Sequence, residues 1–162
     1  FQYIAFLKGI NVGGKNIVKM SDLTNFLSQT TIIMLKHKLS GNIIFETKST
    51  ERNQIKKDIT RLILKEFNIE TCTILLTSNE LISILEYNPF LNIENYNSKF
   101  LYFTFLNESI NQNPITDDNK YSPDEFKIDN NCIYVYCPTG YGKTKLTNTF
   151  FEKKLKCNAT TR

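Results

Sequence analysis

The sequence predicts an α+β chain in which a β-α-β-β-α-β order of elements occurs twice, so that two antiparallel sheets each carry helices on one face. Three observations point there. Short apolar or alternating runs such as Tyr3 to Leu7 and Phe100 to Leu106 read as strands. Between strands stand stretches with apolar residues at helical spacing, clearest at Ile55, Ile59, Leu62 and Ile63. Two turn sequences, Ser40-Gly41-Asn42 and Asp129-Asn130-Asn131, each join a pair of strand-like runs into a hairpin. A length of 162 residues has room for one ordinary domain or two small ones. We expect two tandem ferredoxin-like (βαββαβ) α/β plait units, over residues 1–76 and, after a connecting helix, over 77–162.

Each element follows from its residues. Tyr3 to Leu7 is apolar and aromatic, as a buried strand requires. Ser21 can cap a helix whose inward face is Leu23, Phe26 and Leu27. Thr31 to Leu35 and Ile43-Ile44-Phe45 are the arms of the first hairpin, the helix through Ile55 to Ile63 follows, and Glu70 to Leu76 returns to strand. Asn79 to Tyr87 reads as a short helix stopped by Asn88-Pro89. Leu101, Phe103 and Phe105 alternate with Tyr102 and Thr104 in the clearest strand. The polar stretch from Asn107 to Tyr121 should hold at most a short helix. Phe126-Lys127-Ile128 and Ile133 to Cys137 form the second hairpin, and Leu146, Phe150 and Leu155 mark a helix over 144–155. Ala159-Thr160-Thr161 closes the chain as a short strand.

Composition limits the function classes. Hydrophobic residues make up 41% and charged ones 22%, the balance of a folded chain. A net charge of +4 favours anionic partners without the density of a dedicated nucleic-acid binder. Cys72, Cys132, Cys137 and Cys157 form no Cys-x-x-Cys pair and His37 stands alone, so no metal site is expected. Four reduced thiols and the lack of a long apolar run suggest a cytoplasmic protein with no membrane span. No cofactor is implied, and a monomer is expected. His37 lies between two lysines and reads as a surface histidine; with no paired carboxylates either, acid–base catalysis has no support in the sequence.

The residues that stand out are two glycine-lysine loops. Gly9-Ile10-Asn11-Val12-Gly13-Gly14-Lys15-Asn16 follows the first strand, and Pro138-Thr139-Gly140-Tyr141-Gly142-Lys143-Thr144-Lys145 follows the strand ending at Cys137. Glycine turns, lysine charge and unpaired N–H groups at a helix start together hold anions. The second loop is a near miss to a phosphate-binding P-loop, which needs glycine where Cys137 stands. Glycines also make plain turns and lysines are ordinarily solvated. Two such loops, together with Ser40, Gly41 and Asn42, favour one shared anion site in a cleft between the domains. Tyr102, Tyr134 and Tyr136 are expected on one sheet face, opposite Leu101, Phe103, Ile133 and Val135. That is the face on which RNA-recognition sheets stack bases, but the basic-Gly-aromatic-Gly string of those domains is missing. The tyrosines are therefore expected to pack against the other domain with bonded hydroxyls.

Ala5 to Asn16, Ser40 to Phe45, Asn88-Pro89-Phe90, Tyr141 to Asn148, Phe151 to Leu155 and Ala159 to Arg162 together resemble the mainly bacterial family called domain of unknown function 1697. The resemblance spans essentially the whole sequence. It implies two ferredoxin-like subdomains and no established activity. His37 and Leu39 depart from the family pattern, which has Tyr and then Gln or Asn before Ser-Gly-Asn. Lys143 stands where the family often has Arg, keeping the charge without the fork geometry. The family pattern continues past Thr-Thr-Arg into a closing helix, while this sequence stops at Arg162 and starts at Phe1 instead of Met, so a shortened chain is expected.

On this reading the chain binds an anionic ligand, a nucleotide or a nucleic-acid phosphate. The candidate residues are Gly9, Asn11, Gly13, Gly14, Lys15, Asn16, Ser40, Gly41, Asn42, Tyr141, Gly142, Lys143, Thr144, Lys145, Asn148, Thr161 and Arg162. The alternatives are an enzyme acting on a phosphorylated small molecule, with a lysine as electrostatic stabiliser, and a protein-interaction module using exposed edge strands.

Overall fold

The computed structural model describes residues 1–38, 41–116 and 120–162, without the side chains of Met34, His37 and Lys38. It divides into two compact units, Phe1–Ile82 and Ser83–Arg162. Each holds a four-stranded antiparallel sheet with helices, so the chain is an α+β protein consistent with two tandem ferredoxin-like units.

In the first unit β1 (Gln2–Leu7), β2 (Ile33–Lys38), β3 (Asn42–Glu46) and β4 (Thr73–Thr77) stand in the order β2-β3-β1-β4. Alternate side chains reach one face, so Tyr3, Ala5 and Leu7 of β1 join Ile43 and Phe45 of β3 in the core. Against them pack α1 (Met20–Leu27) and α2 (Arg52–Phe67). On α2 the buried residues Ile55, Ile59 and Ile63 recur every fourth position, which makes one stripe along the helix. Asn68 ends it in the left-handed conformation at φ 54° and donates its N–H to the Leu64 carbonyl, a helix stop that asparagine tolerates well. The start of α1 differs from expectation. Lys19 occupies the cap position without a side-chain bond, Ser21 lies exposed inside the helix, and Met20, Leu23 and Leu27 form its buried face. Phe26 is half-buried, edge-on to Phe67. The helix α3 (Ser78–Glu86) follows β4 directly.

The second unit repeats the strand order. β5 (Leu101–Leu106), β6 (Glu125–Asp129), β7 (Cys132–Tyr136) and β8 (Ala159–Thr161) stand as β6-β7-β5-β8. Asn130, at φ 51°, turns β6 into β7. No helix occurs between β5 and β6 among the described residues. Ile110, Ile115 and Tyr121 from that polar stretch cover the core instead, so the stretch, expected to hold at most a short helix, is a loop with apolar anchors.

Two further expectations change. The helix expected over 144–155 is α4 (Asn148–Leu155), starting four residues later because Thr147 is the cap and its Oγ1 accepts the Phe150 N–H at 3.3 Å. Its fully buried residue is Phe151, and Phe150 is half-buried. The tyrosines also sort differently. The register pairs Tyr102 with Val135 and Phe103 with Tyr134. Tyr102 therefore shares the core face with Ile133 and Val135, and Tyr134 and Tyr136 lie on the other face with Leu101 and Phe103.

Candidate functional site

The first glycine-lysine loop is closed on itself. Val12 and Lys15 form a bridge, with the Lys15 N–H donating to the Val12 carbonyl at 3.0 Å, and Gly13 and Gly14 make the turn at positive φ. Asn11 spends both ends of its amide on Val18: Oδ1 accepts the Val18 N–H at 2.7 Å and Nδ2 donates to the Val18 carbonyl at 2.9 Å. Asn16 Nδ2 donates to the Gly9 carbonyl at 3.1 Å. These bonds hold the loop's shape and leave Lys15 exposed at its tip.

Gly41 belongs to the same corner for a steric reason. It sits at φ 74°, and a Cβ there would come within 3.0 Å of Ile10 Cβ and 3.1 Å of the Leu7 carbonyl oxygen. Its carbonyl accepts the Leu7 N–H at 2.9 Å. Asn42 is the half-buried first residue of β3. Ser40 and Leu39 lie outside the described residues, as does the side chain of His37.

The second loop is a single 3-10 turn, Tyr141–Lys143, separated from α4 by residues 144–147. The expectation that Gly142 and Lys143 open the long helix is therefore corrected. The Lys143 N–H bonds to the Gly140 carbonyl and that of Thr144 to Tyr141, so these amides are used within the turn. The conformation that needs glycine is at Gly140, with φ 95° and ψ 143°, whereas Gly142 is exposed and has no positive φ.

Around this turn lies a closed set of hydroxyl bonds. Thr161 Oγ1 donates to Asn148 Oδ1 and accepts the Tyr141 hydroxyl at 3.0 Å. Its third neighbour, Thr104 Oγ1, lies at 2.8 Å. A hydroxyl has one proton and two lone pairs, so with Thr104 donating, Thr161 is fully satisfied. Thr144 is buried, accepts the Leu146 N–H at 3.0 Å and hydrogen-bonds the Cys137 thiol. Arg162 is half-buried, its Nη1 donating to Thr160 Oγ1 at 2.7 Å and to the Thr161 carbonyl at 2.9 Å. Lys143 and Lys145 are exposed on either side of Thr144.

Of the residues expected at a site, Tyr141, Asn148 and Thr161 are bonded together in the second unit, with Lys143, Thr144 and Lys145 on the same turn. Arg162 does not join them: it pairs with Phe103 and bonds Thr160, so its side chain lies on the other face of the sheet. Gly9, Asn11, Gly13, Gly14, Lys15, Asn16, Gly41 and Asn42 belong to one corner of the first unit. Thr104 and Thr160 escape sequence reading. Their roles depend on β8 pairing with β5, Thr104 opposite Thr161, and a strand of three residues does not announce its partner.

Burial sets the protonation of the groups nearby. It pushes the Tyr141 hydroxyl up, partly offset by bonds to Thr161 and the Asn148 backbone. It raises the Cys137 thiol too, against the Thr144 bond and helped by the Asp124 charge. It brings Arg162 below the usual arginine range. Cys132, on the opposite face of the sheet, is pushed up to about 12 by burial and by Asp129, which keeps it an unreactive thiol. None of the four cysteines takes part in a disulfide. Among the described residues no His, Cys, Asp or Glu side chains gather as a metal site, and no helix is long and apolar enough to cross a membrane.

No functionally curated protein matches the chain. Among solved structures it is similar to the conserved bacterial protein SP0830 from Streptococcus pneumoniae, with a TM-score of 0.68 and 18% sequence identity over 99% of this chain and 91% of that one. At that identity the likeness is one of fold. The family model described as "Protein of unknown function (DUF1697)" matches residues 1–134, which include the first loop and the strands through β7 up to Tyr134. The chain belongs to the DUF1697 family of proteins of unknown function.

Proposed function

We propose that the second unit binds a phosphate-bearing ligand, a nucleotide or a nucleic-acid phosphate, over the turn that carries Lys143 and Lys145. The observation that carries this reading is the 3.0 Å bond from the Tyr141 hydroxyl to Thr161 Oγ1. It ties the lysine-bearing turn to β8, and Thr161 in turn bonds Asn148 at the start of α4, so the two lysines stand on a turn fixed at both sides. Arg162 is left out of this corner, because its guanidinium bonds Thr160 on the other face of the sheet. A turn already held in place needs little ordering on meeting a phosphate, and its two exposed lysines supply the charge. Because the amides of Lys143 and Thr144 are used within the turn, recognition here rests on side chains and not on a helix start.

The test is titration of nucleoside triphosphates and short oligonucleotides into the protein at two salt concentrations. Binding should weaken with salt, and Lys143→Gln with Lys145→Gln should weaken it about tenfold and reduce the salt slope by roughly one to two, the number of phosphate contacts removed. Failure of the unaltered protein to bind any of these ligands would overturn the reading. Turnover of a phosphorylated metabolite, assayed on a panel, would make the same corner an enzyme's substrate site.

A further inference from the structure

The face of the second sheet opposite α4 is crossed by the segment from Ser83 to Asn97. Its inner side is anchored on the sheet. The Tyr134 hydroxyl donates to the Ile84 carbonyl at 3.0 Å, and the fully buried Phe90 stacks on Tyr136 at 5.7 Å. Tyr96 lies 5.8 Å from the same ring, and Asn88 Oδ1 accepts the Phe90 N–H at 3.0 Å. Successive turn bonds, Leu91 to Asn88, Ile93 to Phe90 and Tyr96 to Ile93, keep the segment compact.

With its inner side so fixed, the segment turns its other large apolar residues outward. Leu85 is 48% exposed, Tyr87 75%, Leu91 49% and Ile93 41%. Its charges have one sign. Glu86 and Glu94, both exposed, are the only charged residues between Ser83 and Asn97. The remainder of the chain carries 20 basic against 14 acidic residues. An exposed apolar segment whose two charges are both acidic, on an otherwise basic protein, selects by charge. It repels the anionic headgroups that would draw an apolar patch to a membrane, and it attracts cations that the rest of the molecule repels. Tyr87 suits such a surface because it offers a large contact area with few rotatable bonds.

We infer that the outer side of this segment is a docking surface for a basic, amphipathic helix of another protein. The apolar face of that helix would cover Leu85, Tyr87, Leu91 and Ile93, and its lysines or arginines would meet Glu86 and Glu94.

The experiment uses the full chain and a fluorescent designed peptide of leucines and lysines at helical spacing, with a matched peptide carrying glutamates in place of the lysines. Fluorescence anisotropy should show saturable one-to-one binding of the basic peptide and at least about tenfold weaker binding of the acidic one, a difference of about 1.4 kcal/mol. Leu85→Ser with Leu91→Ser should cost at least about tenfold, in the range of buried interface anchors. Glu86→Gln with Glu94→Gln should weaken binding several-fold, as about two screened charge contacts would, and remove most of its salt dependence. Lys143→Gln with Lys145→Gln, which tests the phosphate site, should leave peptide binding unchanged. The altered residues are exposed, so the variants should keep the parent's circular dichroism and melting temperature. Equal binding of the two peptides, or binding indifferent to the leucine changes, would overturn the inference. So would sedimentation showing that the chain itself dimerises and that Leu85→Ser with Leu91→Ser abolishes the dimer, because a second copy would then be the occupant.

Discussion

Phe150 and Phe151 are neighbours in sequence and 5.1 Å apart edge-to-face, yet they do different work. Phe151 is fully buried and meets the Phe126 ring at 5.5 Å, while Phe150 is half-buried beside Tyr121 at 5.3 Å. Spacing from Leu146 singles out Phe150, four residues on, if the helix begins at Thr144. With the helix beginning at Asn148 the stripe shifts by one position, and Phe151 with Leu155 becomes the inward pair. The residues were legible, and the phase was not. We expect Phe151→Ala to destabilise the protein by about 3–5 kcal/mol and Phe150→Ala by clearly less, since the first leaves a cavity in a packed core and the second opens toward water. Urea unfolding of the two variants measures this, and a larger loss for Phe150→Ala would reverse the assignment. The same shift of attention applies to glycine. Gly142 draws the eye because it precedes Lys143, but the backbone outlier is Gly140.

Among elements, the junction of β4 and α3 is the most tightly specified. Thr77 Oγ1 accepts the Glu80 N–H at 3.2 Å and Glu80 Oε2 accepts the Thr77 N–H at 2.7 Å, a reciprocal cap written in the sequence as Thr77-Ser78-Asn79-Glu80. Arg52 at the start of α2 then clamps Glu80 with both guanidinium nitrogens, at 2.7 and 2.9 Å, and Nη2 also reaches the Leu75 carbonyl at 2.7 Å. The cap is a local pattern that the helix start expected at Asn79 missed, and the clamp leaves no local sign because 28 residues separate its partners. Burial alone would raise the Glu80 carboxyl, but the Arg52 and Thr77 bonds outweigh it and hold the group below its ordinary value of 4.5. The folded state thus favours the charged form. Its contribution is fully present above pH 4.5, the unfolded value, and is lost as pH falls below that through the folded value. With side chains 36% and 39% exposed, solvent screening limits it to no more than about 1 kcal/mol. Glu80→Gln keeps the cap and removes the charge. Denaturation of the two proteins at pH 7 and pH 3 should show a stability gap that narrows in acid, and a gap that stays constant would mean the charge contributes nothing.

At the scale of the whole molecule, the repeated order of elements was legible because strands and helices differ in apolar period and because each hairpin carries its own turn residues. Between β5 and β6, where no helix occurs among the described residues, the polar sequence foretold a loop but not its core contacts. Residues 107–121 give up helical periodicity but keep Ile110, Ile115 and Tyr121 as core anchors, and isolated anchors in a polar stretch leave no period to detect. The candidate site was legible as a list of loops and lysines, whereas its hydroxyl network was not, since it depends on which strands pair. The two cores share no residue: one runs from Tyr3 to Leu75, the other from Leu106 to Ala159. Ile59, fully buried on α2, and Phe151, fully buried on α4, serve as probes of each. Truncating either to alanine removes apolar contacts worth about 2–5 kcal/mol. Local opening follows the contacts that hold a region closed, so amide exchange should rise where the lost contacts were. In hydrogen–deuterium exchange read by mass spectrometry, Ile59→Ala should speed exchange in β1, β3 and α2 and leave β5 and β7 near the parent rate. Phe151→Ala should do the reverse, loosening β7 and α4 while β1 and β3 stay protected. If either substitution speeds exchange equally in both sheets, the cores open as one cooperative body, and the division into two units is a matter of geometry and not of stability.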